Sequence, residues 1–516
     1  MSAVPAGDYD FANSSLRIFG ASQLTLTASG PATLWFACGK GVHIANSSDV
    51  VFAGFTQDYT RPCFAQGVLQ QLHQPDPETL QDAFADVEFD ADNFPLPIGR
   101  WFPDRAPPPP PASGPPASQI TVKMTFWDQH TLRMIAPGNH LVNVSRNRGG
   151  GTVFRITYYG VVPNTTAVSA GSLVTVHPRL GLSHGTGKPG GITYLITNSS
   201  GVQTVNFTLH GGATEAIVEA GGEGAHTYRN VRLVRRKGRD PVRLLAANAD
   251  GFHSTCVRVG PKLIDSELSF TGDDLLNIHS RMSLVLRPVG KTSAYIIDTA
   301  GSSSPGSYDE STFLFPEAGA GDSLAFWDLK TLAPAGSATI TSAERCLDAS
   351  VIAEARAAYD AITSPPYSQH IGHDFGTRVW LVKWDEAVAV ERFAVVDVPR
   401  LRPMGAVIRN TLFHDAYMRF GLFESPGIIV EGNLFERGFP FYIGATGVGW
   451  LEGPPMVDNV TVRDNVARDF FERERGIGFS FDKTKAGIRS VGNNTCYTAA
   501  GVPVLPCTQL PPDVQV

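Results

Sequence analysis

Charge of one sign, cysteine and helical periodicity are all scarce in this chain of 516 residues. Lys and Arg number 42 against 49 Asp and Glu, a net charge of -7, so there is no basic stripe and nucleic-acid binding has little electrostatic support. A polyanionic substrate is disfavoured for the same reason, though less firmly. Six cysteines without a C-x-x-C pair make zinc unlikely. Only Cys496 and Cys507 stand close enough in sequence to suggest a short disulfide loop. No stretch approaches the roughly 18–20 apolar residues of a membrane span. The opening MSAVPAGDYDFANSS lacks a charged segment followed by an apolar one. Eight Asn-x-Ser/Thr sequons, at Asn13, Asn46, Asn143, Asn164, Asn198, Asn206, Asn459 and Asn493, nonetheless make the secretory pathway the expected location. Chance explains most of these sequons in a chain so rich in Asn, Ser and Thr.

What is present is globular: 42% hydrophobic, 10% aromatic and 18% charged residues, with 52 glycines. The one convincing helical pattern is DASVIAEARAAYDAI at 348–362. Everything else reads as short strands such as SLRIFG, LTLTAS, TLWFAC, VHIANS and VVFAGF, bounded by Gly, Asn, Ser or Asp turn signals. The C-terminal third repeats a unit: VIRNTLF at 407–413 returns 22 residues later as IVEGNLF at 429–435, and loosely as VTVRDNVA at 460–467. That period is the length of one coil of a right-handed parallel β-helix. Asn410, Asn433 and Asn465 are expected at turns between strands, their amides bonding the next coil.

Two segments break the pattern, which divides the chain into coils over 1–61, an inserted module over 62–170, central coils over 171–285, a second module over 286–400 and final coils over 401–516. The first module holds the tract WFPDRAPPPPPASGPPASQ, expected as an exposed polyproline II loop. The modules share a signature, TFWDQHTLRM at 125–134 and AFWDLKTLAP at 325–334. An Asp turn between an aromatic and an apolar strand describes a β-hairpin, so both modules read as small, related β-barrels. Trp127 and Trp327 are expected in their cores.

The densest polar cluster is RLLAANADGFHSTCVRVGPKLIDSELSFTGDDLLNIHSR, residues 243–281. Strands on neighbouring coils of a β-helix stack about 4.8 Å apart. Asp250 lies 23 and 24 residues before Asp273 and Asp274, so the three carboxylates should converge, joined by His253, Asn277 and His279. Alternation turns Phe252 and Leu275 or Leu276 inward and the polar residues out to an exposed face. Converging carboxylates repel, raising one pKa and leaving another ionised, which supplies an acid and a base. A one-coil offset plus a diagonal step lies nearer the roughly 6.5–9.5 Å of inverting glycosidases than the roughly 5–5.5 Å of retaining ones. Gly-Asp-Asp and Asp-Gly are each common turns on their own. It is their joint spacing that points to a site. Calcium ranks below acid–base chemistry because no D-x-D-x-D run accompanies the cluster, and no cofactor or metal is expected.

These motifs resemble glycoside hydrolase family 110, the exo-acting α-1,3-galactosidases. The matching residues are PAGDYDF near the start, DYTRPCFAQG at 58–67, RLLAANADGFHS at 243–254, GP at 260–261, GDDLLNIH at 272–279, VIRNTLF at 407–413 and IIVEGNLF at 428–435. The resemblance implies a right-handed parallel β-helix with inserted barrels and inverting hydrolysis of terminal α-linked galactose, Asp250, Asp273 and Asp274 forming the catalytic set. Its partner would then be a glycan ending in α-galactose. The chain departs from the family at YMRFGLFES, where Phe420 would crowd the sugar. Coil counting stacks Arg419 beyond Asp274 as a donor to sugar hydroxyls.

Glu424, Glu431 and Glu452 are further carboxylates on later coils, and Trp450 offers a face for a sugar. The stretch GGATEAIVEAGGEGAH at 211–226 lacks the Gly-Lys-Ser/Thr of a phosphate loop and reads as a tight coil bringing Glu219 or Glu223 and His226 to the cleft rim. Arg235, Arg236, Lys237 and Arg239 read as a solvated loop. Two alternatives stay open. Asn248, Asp250, Asp273 and Asp274 also suit a polygalacturonase-like endo-hydrolase, although the Gly-His-Gly and Arg-Ile-Lys signatures are missing. The other is a β-helix carbohydrate-binding protein without catalysis.

Overall fold

The computed structural model describes residues 2–73, 84–90, 122–146, 153–158, 167–178, 193–236, 238, 242–298, 314–362, 376–439, 441–444, 452–469, 479–481, 486–497 and 508–509. The proline tract, Trp450 and Cys507 lie outside them. Among the described residues the protein is all-β, with strands gathered in sheets of 16 and 11, parallel except for Glu452–Gly453. The chain alternates between these sheets, and each pass lies in parallel register on the one before. Thus Val407–Arg409 pairs with Ile429–Glu431, and Leu412–Ala416 with Leu434–Glu436. The faces between the sheets hold one large apolar cluster. Within it Phe413 stacks on Phe435 with ring centroids 5.0 Å apart.

Corners, more than strands, carry the sequence signal. Asp265, Asn410, Gly432, Asp464 and Asn493 each turn the chain with φ between 52° and 67°, a region open to Gly and tolerated by Asn and Asp. The residue after each corner faces inward, and there the amide ladder forms. Asn433 Oδ1 accepts the Thr411 N–H at 3.0 Å while its Nδ2 donates to the Ile408 carbonyl at 2.9 Å. Asn465 does the same for Asn433 and Val430, and Asn494 for Asn465 and Val462. The ladder therefore runs Asn433–Asn465–Asn494 and excludes Asn410, which aligns with Gly432 and bonds Asp265 on the exposed corner. Five sequon asparagines, Asn46, Asn198, Asn206, Asn459 and Asn493, take the same left-handed φ, so a backbone requirement accounts for Asn there. Asn465→Ala should cost about 2–4 kcal/mol, since it orphans buried donors and a carbonyl at about 1–3 kcal/mol each. Chemical denaturation reads this directly, and a loss under about 0.5 kcal/mol would mean water replaces the ladder.

Both insertions close into six-stranded antiparallel barrels. The first comprises Ala65–His73, Phe84–Phe89, Val122–Trp127, Met134–Arg146, Val153–Tyr158 and Leu173–Pro178; the second comprises Ser283–Pro288, Ser293–Ile297, Ser323–Trp327, Pro334–Arg345, Val379–Trp384 and Val395–Asp397. Counted within each barrel, the strands follow one circular order, 1-2-5-4-3-6. The shared Phe-Trp-Asp-x-x-Thr-Leu forms the hairpin between the third and fourth strands. Asp128 Oδ1 accepts the Thr131 N–H at 2.6 Å and its hydroxyl at 2.8 Å; Asp328 Oδ1 accepts the Thr331 pair at 2.7 and 2.8 Å. Leu132 and Leu332 then turn with φ of 56° and 51°. The two barrels thus share one strand order and one hairpin chemistry. Among the described residues, only the second carries a long helix, Ala349–Ile362, whose first turn is capped by Asp348.

Trp327 lies in an apolar cluster with the helix, but Trp127 belongs to the large cluster between the sheets, 6.3 Å from Phe270. The first barrel is thus seated on the stacked strands. Arg235 lies 3.8 Å over Phe270 and donates to the Leu132 carbonyl, while Arg236 and Arg243 both pair with buried Asp58. Arg235 therefore anchors the barrel and Arg236 is tied to the parallel sheet at Asp58, so neither is a member of a solvated loop; Lys237 and Arg239 lie outside the described residues. A disulfide joins Cys38 to Cys63, a pairing that sequence distance did not suggest. Cys496 is also disulfide-bonded, and Cys256 and Cys346 are thiols.

Candidate functional site

Three adjacent strands, Ile217–Ala220, Phe252–Thr255 and Leu276–Arg281, build the floor of the site. Their register sets Ile217 beside Phe252 beside Leu276, and Val218 beside His253 beside Asn277. Strand alternation then turns Phe252, Leu276 and Ile278 into the apolar interior and His253, Asn277 and His279 onto the opposite face. Asp250 and the pair Asp273–Asp274 occupy the bends just before these strands. They are drawn together by Gly251 N–H to the Asp274 carbonyl at 2.8 Å and Gly272 N–H to the Ala247 carbonyl at 2.9 Å. One oxygen from each of Asp250, Asp273 and Asp274 lies within 4.8 Å of the others.

This convergence is tighter than the inverting-range gap expected from coil counting. The cluster is also buried, the three aspartates being 8%, 3% and 2% exposed, where alternation alone had placed them on an open face. The reason is a second layer contributed by distant segments. His177, from the last strand of the first barrel, holds the Asn248 carbonyl at 2.9 Å and packs edge-on against Tyr417. Glu452–Gly453 pairs antiparallel with Ser280–Arg281. The Arg419 carbonyl accepts the Leu275 N–H at 3.0 Å.

Arg419 is the cation that meets the aspartate trio. Its Nε and Nη2 donate to the two oxygens of Asp274 at 2.9 and 2.8 Å, and its backbone N–H adds a third bond at 2.9 Å. A fork–fork pair of this kind fixes both groups. It also draws on the Asp274 oxygens that a hard cation would share. Asp250 is different: burial, together with the charges of Asp273 and Asp274, outweighs its bond to His253 and pushes its pKa up to about 7. His253 Nδ1 meets Asp250 Oδ2 at 2.9 Å, His253 Nε2 meets His279 Nε2 at 2.8 Å, and His279 Nδ1 meets the Ser280 carbonyl at 2.7 Å. Glu452 stands 3.8 Å from His279, and the register that pairs Ile278 with Phe423 brings Glu424 alongside His279. Glu215, which sequence reading passed over, is buried on the preceding pass; its charge helps hold the His253 pKa up against burial. A carboxylate two residues before a strand carries no pattern, so only the fold reveals it.

Other expected members are elsewhere. Phe420 does not crowd the site but packs in the interior against Phe435. Glu431 is on the other sheet, paired with Arg409 and Arg463. Glu219 lies on the same strand face as Ile217 and so points into the interior, where it accepts bonds from Ser254 Oγ and Tyr228 and burial lifts it to about 7. Glu223 is exposed on Arg258, and buried His226 accepts the Val202 N–H, its pKa pushed down to about 3. None of these three lines the cleft. Asn248 is a tie between passes, donating to the Cys63 and Ala213 carbonyls.

Six carboxyl groups thus face two guanidinium groups, Arg281 and Arg419, and one of the latter is already committed to Asp274. Chemically the site can hold and release a proton, orient a water and bind neutral hydroxyl-bearing groups; it repels anions. No family model matches the chain, and no curated protein matches its sequence. Among solved structures, the A-module of the mannuronan C-5 epimerase AlgE4 from Azotobacter vinelandii is similar over 98% of this chain and 90% of that one, at 9% identity and a TM-score of 0.26, a likeness too loose to support any argument about this protein.

Proposed function

We propose that this chain is a right-handed parallel β-helix glycoside hydrolase that removes terminal α-linked galactose, an α-1,3 linkage being the one its motifs resemble, with inversion. The observation that supports this reading is the buried trio of Asp250, Asp273 and Asp274, in which burial and the neighbouring carboxylates push the Asp250 pKa up to about 7 and Arg419 clamps Asp274. Asp250 is the general acid that protonates the leaving oxygen. Oxygens no more than 4.8 Å apart can share one water, since two O–H···O bonds span about 5–6 Å. Asp273 and Asp274 hold that water and take its proton as it attacks the anomeric carbon. His253, Asn277, His279, Arg419, Glu424 and Glu452 frame the pocket.

The charge balance weighs against a polygalacturonase-like endo-hydrolase, whose uronate substrate would enter a field of six carboxyl groups. Retention is the outcome that the close spacing by itself would favour, so stereochemistry is the test. Proton NMR of a terminal α-1,3-galactoside should show β-galactose first with wild type and none with Asp274→Asn. Initial α-galactose would replace inversion by retention; no sugar from this or other α-galactosides would overturn the proposal.

Gly272→Ala tests whether the first barrel belongs to the catalytic unit. An added Cβ would stand 2.2 Å from the Asn248 carbonyl oxygen and 2.5 Å from the His177 ring. Moving the Asp273–Asp274 bend by about 1 Å should cost about 10²-fold in kcat/KM. Unchanged kinetics in a folded variant would detach this buttress from the chemistry.

A further inference from the structure

His253 and His279 stand in the pocket as obvious ligands for sugar hydroxyls, yet each of their four ring nitrogens already meets a protein atom or the other ring. The direction of those contacts is determined from one end. A backbone carbonyl only accepts, so His279 Nδ1 carries a hydrogen and donates it to the Ser280 oxygen at 2.7 Å. Burial, Arg281 and His253 push the His279 pKa well below its usual value, so this ring is neutral and its Nε2 bears a lone pair. The 2.8 Å contact to His253 then requires the hydrogen on His253 Nε2. What remains is one proton between His253 Nδ1 and Asp250 Oδ2, 2.9 Å apart.

We propose that Ser280, His279, His253 and Asp250 form a one-way relay in which His253 and Asp250 share a single proton, so that both histidines are positioning residues for the acid and not sugar ligands. The assignment of Asp250 as acid rests on the function proposed above; the hydrogen-bond order does not. The groups facing the pair are Asp273 and Asp274 on the Asp250 side, Glu215 and Glu452 around His253, and Arg281 beside His279. Net charge on the pair is zero whether the proton sits on oxygen or nitrogen. Hydrolysis moves it to the leaving oxygen and leaves Asp250 a carboxylate beside neutral His253. The pair is recharged with one proton from solvent, while the attacking water gives its own proton to Asp273 or Asp274 and thence to solvent.

The test is NMR of the full chain labelled with ¹³C,¹⁵N-histidine, the two rings assigned by His253→Gln and His279→Gln. His279 should be the Nδ1–H tautomer, and His253 Nε2 should stay protonated between about pH 5 and 8 while its Nδ1 alone responds to pH. An Nε2–H tautomer at His279, or loss of the His253 Nε2 hydrogen in that range, would overturn the relay. Neutron diffraction of wild-type crystals reads the same hydrogens should either variant not fold. In kinetics, His253→Gln should lower kcat about 10–100-fold, shift the alkaline limb of the pH profile and leave KM within about twofold. A sugar ligand would instead raise KM. If no α-galactoside is turned over but His279 carries Nδ1–H, the proposed function fails and the relay stands; the opposite tautomer in an active enzyme removes the relay alone.

Discussion

Asp250→Asn, Asp273→Asn and Asp274→Asn should each lower kcat by about 10²–10⁴-fold while the protein melts as a folded domain. Each change keeps the shape of the side chain and removes its ability to exchange a proton. At Asp250 the loss is of the acid itself, because an amide offers no transferable proton. At Asp273 and Asp274 it is of the acceptor for the proton of water, and an Asn at 274 also turns one N–H toward the Arg419 fork. The three act as one unit on one bond, so a double variant should be little worse than the poorer single one. Initial rates with a terminal α-galactoside, beside thermal melts, measure both properties. Wild-type rates in all three would remove the trio from the chemistry; a single wild-type-like variant would remove only that residue.

Arg419→Leu should destabilise the fold by about 3 kcal/mol. Removing one partner of a buried pair costs about 3–5 kcal/mol, and the lower end applies because a quarter of the Arg419 side chain is exposed. The cost lies in Asp274, 3% exposed at the side chain, which must then sit charged without its three donors or take up a proton. Arg419→Lys should recover only part, since an ammonium cannot donate in parallel to both oxygens. The double change Asp274→Asn/Arg419→Leu should be less damaging than the sum of the singles, because no bare charge is left behind. Urea denaturation of the four proteins closes this cycle. A loss under about 1 kcal/mol for Arg419→Leu would mean that solvent screens the pair like a surface ion pair.

Strand passes were legible in the sequence because parallel register counts in whole residues. Once VIRNTLF and IVEGNLF were seen 22 residues apart, their stacking followed, and the same counting carried Asp250 onto Asp274 and Arg419 onto the next pass. The twin Asp-x-x-Thr hairpins were equally readable, since their bonds close within four residues. One-residue errors arose where two polar residues share a corner. Asn410 precedes Thr411, and only the register shows that it is Thr411 that aligns with Asn433 and stands at the head of the ladder.

By itself, then, the sequence determined local and periodic properties: which segments are strands, where the chain turns left-handed, and which aspartates meet. Whether those aspartates face water or a closed pocket was decided by segments remote in the chain, His177, Arg419 and Glu452–Gly453, brought there across two inserted barrels. Burial sets the proton affinity of Asp250, the order of the histidine bonds and the cost of a lone Asp274. Cys38 finds Cys63 for the same reason: contact between passes is a property of the stack, and nothing in either residue's neighbourhood encodes it. Desolvation is a sum over all atoms nearby in space, which no local pattern of residues can supply.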